Sequence, residues 1–205
     1  MKTLKVKITF TEELLGSASN DPKIHERFIA SKAEDEDKIK EEMEALGAEE
    51  EIEITKTIFP KLDNGTPFIY DYQIKGFFKD TCGVLRTITG TESSKIKAYK
   101  KLIDGRIFPS PRRIPIFFAG DGQYEGGSFI GSCQRPLRAS TPMGERNSLA
   151  NSECIKAGAT CEFEILLMSD DDEKWVKEML DYGKLRGLGQ WRNSGKGRFE
   201  TEYIN

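Results

Sequence analysis

The sequence predicts an α+β fold, a small sheet backed by helices, on three observations. Leu4, Val6, Ile8 and Phe10 alternate with Lys5, Lys7 and Thr9, the period-two mark of a half-buried strand. Cys161, Phe163, Ile165 and Leu167 alternate in the same way with Glu162 and Glu164. After that second strand, Trp175, Val176, Met179, Leu180 and Leu185 fall on one face at helical spacing.

The remaining elements follow in chain order. Gly16 to Asn20 read as the turn that ends the first strand, and Asp21-Pro22 suits a cap and first helical turn. Ile24, Phe28 and Ile29 make one face of a short helix; Ile39, Met43 and Leu46 face inward from a second, closed by Gly47. Ile52, Ile54 and Ile58 suggest a strand, and Asp63-Asn64-Gly65 a turn. Residues 73–88 read as a helix with Ile74, Phe77, Phe78, Val84, Leu85 and Ile88 apolar, weakened by Gly76 and Gly83. A further helix spans about residues 96–103; residues 106–118, proline-punctuated, are extended; residues 120–131 are a glycine-rich loop or hairpin tip. Asp170 to Asp172 place three acids at the start of the Trp175 helix, where they suit its dipole. Phe199, Thr201 and Tyr203 allow a last strand.

With the middle segments extended, this order contains β-α-β-β-α-β, the ferredoxin-like (RRM-like) pattern. The expectation is one domain over residues 1–205, with residues 21–58 a helical insertion and long loops elsewhere. Such a sheet, covered by helices on one face, leaves the other face free, as in many RNA-recognition modules.

A charged fraction of 32% beside a hydrophobic fraction of 37% is the balance of a water-soluble globular chain. The N-terminal segment alternates Lys with apolar residues, unlike a signal peptide, so a cytoplasmic location is expected. Of the four cysteines, Cys82, Cys133, Cys154 and Cys161, none form a C-x-x-C pair, and His25 is the only histidine. Spacing therefore favours small buried hydrophobes over a zinc site, and no cofactor or metal is expected. The net charge is −3, but it is unevenly spread. Residues 34–53 are densely acidic, whereas residues 184–198 carry Lys184, Arg186, Arg192, Lys196 and Arg198 with no acid. A local cationic surface is compatible with a negative total.

That basic segment is also glycine-rich, with Gly187, Gly189, Gly195 and Gly197 around Trp191 and Arg192. Glycines let backbone amides approach an anion closely, and Trp191 can stack on a base. The alternative is an ordinary loop between helix and strand. It is not a nucleotide phosphate loop, because the Gly-Lys-Ser/Thr order is missing, and no helix follows it as in a dinucleotide fingerprint.

The loop resembles the C-terminal glycine-rich signature of the RAMP superfamily, the repeat-associated proteins of CRISPR systems. Three other stretches resemble the same family in the same order. Residues 4–16 are similar to its first strand and glycine turn. Asn64-Gly65-Thr66-Pro67-Phe68-Ile69, then Gln73-Ile74-Lys75-Gly76-Phe77-Phe78-Lys79 and Leu85-Arg86, are similar to its extended entry, lysine-glycine step and Leu-Arg helix end. The segment from Cys133-Gln134-Arg135-Pro136-Leu137-Arg138-Ala139 to Lys156-Ala157-Gly158-Ala159-Thr160-Cys161-Glu162-Phe163 resembles the approach to its central strand. The crRNA-binding backbone subunits, which polymerise along guide RNA, are the nearest in look.

The resemblance implies an RNA-binding, non-catalytic subunit in antiviral defence, partnered by guide or other single-stranded RNA and by CRISPR-type subunits or copies of itself. The residues implied for RNA are Lys75, Lys79, Arg86, Arg135, Arg138, Gly189, Trp191, Arg192, Gly195, Lys196 and Arg198. The acidic stretch departs from the family pattern, as do Asp71, Tyr72 and Gln73 where serines are usual. The family's cleaving members use an aspartate after the first strand or a histidine near the N-terminus. The counterparts here, Asp21 and His25, read instead as a helix cap and a helix-surface residue. A rival reading is a phage-encoded anti-defence protein that binds or blocks a host CRISPR complex, favoured by the acidic stretch. A ribonuclease is a weaker third reading.

Overall fold

The computed structural model describes residues 1–19, 56–118, 130–141 and 144–204, with side chains described outside residues 136–150. The expected insertion, including both helices between Pro22 and Leu46, Asp21 and His25, lies almost wholly outside the described residues, as do residues 119–129.

The fold is α+β. Its larger sheet joins β1 (Lys2–Phe10), β5 (Phe68–Tyr70), β6 (Ile107–Ser110), β7 (Arg113–Phe118), β10 (Ala159–Leu167) and β11 (Phe199–Ile204). The order is β11-β1-β10-β7-β5, with β6 also on β10. The two strands clearest in the sequence are direct neighbours: β1 and β10 run antiparallel with Leu4 opposite Ile165 and Ile8 opposite Cys161. Proline and cationic punctuation divides residues 106–118 into the two strands β6 and β7, both antiparallel to β10.

Alternation then decides the layers. Val6, Ile8, Phe10, Cys161, Phe163 and Ile165 are buried on one face. Against them pack α1 (Asp71–Leu85), through Ile74, Phe77, Phe78 and Cys82, and α3 (Asp172–Asp181), through Trp175, Val176, Met179 and Leu180. Each such large apolar side chain contributes about 1.5–3 kcal/mol on burial. Between them α2 (Tyr99–Arg106) adds Ile103 to the same core. It begins three residues later than periodicity suggests, because Ser93–Lys95 form a 3₁₀ turn held by Glu178, which accepts from the Ser93 amide and hydroxyl.

Two helical expectations fail: the helix read over residues 73–88 ends at Leu85, leaving Ile88 outside it and 48% exposed, and the α3 face stops short of Leu185. Leu185 is 57% exposed, not part of the α3 face. The helix breaks after Asp181 and resumes as the single turn α4 (Gly183–Arg186). A Cβ on Gly183 would lie 2.3 Å from the Phe199 ring, so this glycine admits β11 closely and shifts the phase of the turn that carries Leu185.

The smaller sheet contains β2 (Leu14–Leu15), β3 (Ala18–Ser19), β4 (Lys56–Ile58), β8 (Ile130–Thr141) and β9 (Gly144–Ile155). β8 and β9 form a long antiparallel hairpin, from Ile130 opposite Ile155 to Thr141 opposite Gly144. The other edge of β9 pairs with β2 at residues 154–155 and with β4, in parallel, at residues 151–152. Arg135 and Arg138 lie on β8.

Candidate functional site

The glycine-rich segment is a shaped loop rather than a slack connection. Gly187, with φ 75°, ends α4, and Leu188 enters the core at 3% exposure. The Leu188 amide donates to the Gly197 carbonyl at 2.8 Å, closing the loop on itself. The Gly197 amide donates to the Glu13 carbonyl at 2.8 Å, and the Thr11 amide to the Arg198 carbonyl at 2.9 Å. These bonds stitch the loop to the turn after β1. Gly189, Gly195 and Gly197 all have positive φ, as does Trp191 at 53°. An aromatic residue in this region is strained by roughly 1–3 kcal/mol, and here the strain falls on a half-buried ring.

Beside the loop lies an open groove of about 260 Å³, walled by Leu14, Leu15 and Ser17, by Gln73, Gly76 and Phe77 of α1, and by Leu188 to Gln190 with Arg192. Gly76 has nothing within 4 Å of where a Cβ would stand, so α1 presents bare backbone to the groove. Gln73 caps α1 by accepting from the Tyr70 amide at 2.9 Å while its amide nitrogen donates to the Ser17 hydroxyl.

Acids orient the cations around this groove. Asp80 on α1 accepts from Arg192 Nη1 at 2.8 Å and from Arg186 Nε at 2.7 Å. Arg186 also donates to Asn193 Oδ1 at 3.0 Å, bracing the 3₁₀ turn Arg192–Ser194. Burial alone would raise the Asp80 carboxyl; the Arg186 hydrogen bond and the fields of Arg192 and Arg186 outweigh it, and the pKa is lowered. Lys196 pairs with Glu13, and that hydrogen bond is the main reason the Glu13 pKa is lowered. Arg135 reaches from β8 to lie 5.6 Å from the Trp191 ring centroid, a cation–π contact worth about 0.5–1 kcal/mol at an exposed site.

The structure thus brings together Arg135, Gly189, Trp191, Arg192, Gly195, Lys196 and Arg198, with the Arg198 guanidinium 3.6 Å from where a Gly195 Cβ would lie. Lys75, Lys79 and Arg86 occupy another flank of α1. Lys79 pairs with Asp104 at 2.5 Å, Lys75 lies 4.5 Å from the Phe108 ring centroid, and Arg86 lies 5.1 Å from that of Tyr99. The backbone of Arg138 is on β8 opposite Asn147. Sequence reasoning missed Asp80, Glu13, Gln73 and the two-pronged pairing of Arg186 with Asp80, through Nε at 2.7 Å and Nη2 at 3.3 Å. The signal within reach was Gly76, a glycine amid an apolar helical period with no turn to explain it.

The open face of the larger sheet offers a contrast. Lys5 and Lys7 stand among Glu162, Glu164, Glu200 and Glu202, which flank them on β10 and β11. Cross-strand pairs of this kind add about 0.2–1 kcal/mol each, and over β11, β1 and β10 the carboxylates outnumber the lysines, while Arg113 lies on the same face of β7.

Among the described residues no helix is long and apolar enough to cross a membrane. No family model matches the chain, and no curated protein does. Solved structures do. A chain of a type III-B Cmr-beta complex bound to cognate target RNA, seen by cryo-EM, is 14% identical with a TM-score of 0.52, over 100% of this chain and 61% of that one. This chain therefore spans less than two thirds of that relative's length. A chain of a type IV-B CRISPR complex is 11% identical with a TM-score of 0.51, over 99% of this chain and 90% of that one. The architecture is a CRISPR effector-like fold.

Proposed function

We propose that this chain is a RAMP-like RNA-binding protein, a non-catalytic subunit that holds guide or other single-stranded RNA within a CRISPR-type ribonucleoprotein. The observation that carries the reading is the groove with bare backbone at Gly76 on one wall, glycine-loop backbone at Gly189 on the other, and Arg192 and Gln190 at its lip. A sugar-phosphate strand can approach the Gly76 wall closely, while Arg192, Arg135 and Lys196 supply charge and Trp191 a stacking surface. Lys75, Lys79 and Arg86 extend the cationic surface along the other flank of α1. Further support comes from the strand order β11-β1-β10-β6, antiparallel throughout, with α1 and α3 in the intervening connections. That is the order of a ferredoxin-like core. The fold likeness to subunits of CRISPR complexes agrees with it.

The hairpin arm fits a life in an assembly. Beyond residue 151, toward its tip, β9 pairs only with β8 among the described residues. A two-stranded ribbon is marginal alone, and this one, with Arg138 upon it, is suited to lie against a neighbouring subunit, a second copy or the bound RNA.

A second reading has its own observation. Arg192, Lys196 and Lys79 each already face a carboxylate, and over β11, β1 and β10 the carboxylates of the open sheet face outnumber its lysines. Both features favour a protein partner, as in a phage-encoded protein that binds or blocks a host CRISPR complex. A filter-binding salt titration with single-stranded RNA separates the two. RNA affinity at low salt that falls linearly on a log–log plot supports the subunit reading. No binding at low salt, with capture of CRISPR-type subunits, supports the rival. RNA incubated with the protein is expected to stay intact, with no difference between the wild type and the Asp21→Ala and His25→Ala variants.

A further inference from the structure

The four cysteines look isolated in sequence, but two are not isolated in space. Cys133 on β8 and Cys154 on β9 are diagonal neighbours on the hairpin, since Cys133 pairs with Ser152 and Gly131 with Cys154. Glu13, just before β2, completes the group because Leu15 pairs with Cys154. One Sγ each from Cys133 and Cys154 and a Glu13 carboxylate oxygen all lie within 4.8 Å of one another. The Cys133 thiol already donates to Glu13 Oε2 at 3.6 Å. Two sulfurs bound to one tetrahedral zinc ion stand about 3.8 Å apart, from Zn–S bonds of about 2.3 Å, so modest side-chain rotation closes the group on an ion.

The surroundings suit the bound form. Two thiolates and a carboxylate carry three negative charges, and a divalent ion leaves one. Lys196, on the glycine loop, is hydrogen-bonded to Glu13, and Lys156 is near enough to act on it electrostatically. One of these ammonium groups balances the residual charge, and Lys196 orients the carboxylate from behind as an outer-shell partner. Cys154 is buried and Cys133 half-buried, so the group is partly shielded from water while Cys133 stays within reach of solvent.

We propose that Cys133, Cys154 and Glu13 form a binding site for a thiophilic divalent metal ion of the zinc class. The ion displaces the two thiol protons to solvent and forms two metal–sulfur bonds and one metal–oxygen bond, with no change in oxidation state. It ties the hairpin to the turn after β1 and, through Lys196, to the glycine loop. The site does not depend on the RNA-binding reading.

Cobalt(II) titration of the full chain, with thiols kept reduced, tests it. One equivalent is expected to bind with a sulfur-to-metal charge-transfer band and tetrahedral visible bands, both bleached by one equivalent of zinc. Cys133→Ser and Cys154→Ser should each lose the charge-transfer band of this two-sulfur site or reduce it to that of one sulfur. Glu13→Gln should keep the band but bind about 10-fold more weakly or worse. Because a serine variant can fail to fold, alkylation of the wild type supplies an independent readout: zinc should protect Cys133 from iodoacetamide. Absence of the band, a band unchanged in either serine variant, or labelling of Cys133 indifferent to zinc overturns the site.

Discussion

Leu188 and Gly197 close the glycine-rich loop across a gap that admits no side chain. The Leu188 amide donates to the Gly197 carbonyl at 2.8 Å, and a Cβ on Gly197 would fall 1.9 Å from the Leu188 carbonyl oxygen. Gly197 also has φ 70°. Gly197→Ala therefore has to break the loop closure, at a cost of about 2 kcal/mol or more from the left-handed backbone and the clash together. Urea denaturation of the variant should show a lower midpoint.

Gly76 gives the opposite sign. It lies inside α1 with nothing within 4 Å of a Cβ position. Gly76→Ala should stabilise the protein by up to about 1 kcal/mol through helix propensity alone. If the groove takes an RNA backbone, the same methyl group should weaken RNA binding. A variant more stable in urea and weaker in filter binding is the expected result; unchanged RNA affinity would remove the backbone from that wall.

The buried face of α3 makes a plainer prediction. Trp175 is 5% exposed, and its Nε1 donates to Asp172 Oδ1 at 3.1 Å, while Asp172 also pairs with Arg106 at 3.0 Å. Trp175→Ala should cost about 3–5 kcal/mol, the range for truncating a buried aromatic. Thermal or urea unfolding reads it directly.

What the sequence showed and what it hid divide along physical lines. β1, β10 and α3 bury one face each, so Val6, Phe163 and Val176 recur at the period of their element. The β8–β9 hairpin has no such period. It pairs Gln134 with Asn151 and Arg135 with Ala150 and is polar along most of its length, so neither strand stands out before its partner is known. The cations of the site were legible, because Arg192 and Lys196 sit among glycines. Their carboxylates were not: Asp80 lies 112 residues from Arg192, and Glu13 lies 183 residues from Lys196. Only the fold makes those pairs neighbours, and it ties the basic loop back onto α1 and the β1 turn.

Asp80 makes the loop acid-sensitive. Its folded pKa is lowered, so its contribution to stability is fully present above the unfolded value of about 3.9 and is lost as pH falls through the folded value. Asp80→Asn should reduce stability at pH 7 by a few tenths to about 1 kcal/mol, given its partial exposure. The difference between wild type and variant should shrink below about pH 4 and vanish once Asp80 is protonated. Urea midpoints measured from pH 7 down to the acid limit give both curves; a gap that persists at the lowest pH would mean the ion pairs are not its source.

The RNA-binding reading predicts how two kinds of side chain separate. Arg192 and Lys196 would meet phosphates, so Arg192→Ala with Lys196→Ala should weaken binding across sequences and leave base preference alone. Each lost phosphate contact on a single strand lowers the slope of log affinity against log salt by about 0.7. The double variant should therefore flatten the slope by about 1 to 1.5. Trp191 carries no charge. Trp191→Ala should leave the slope unchanged and cost about 1–3 kcal/mol if the ring stacks on a base. The substitution also removes the ring beneath Arg135, 5.6 Å away, so adding Arg135→Gln distinguishes stacking from positioning. If Trp191 acts on RNA directly, its loss costs the same in the Arg135→Gln background as in the wild type. If it serves only to hold the Arg135 guanidinium, the second change adds nothing to the first, and a slope already lowered by Trp191→Ala alone would show that the ring's role is to place a charge.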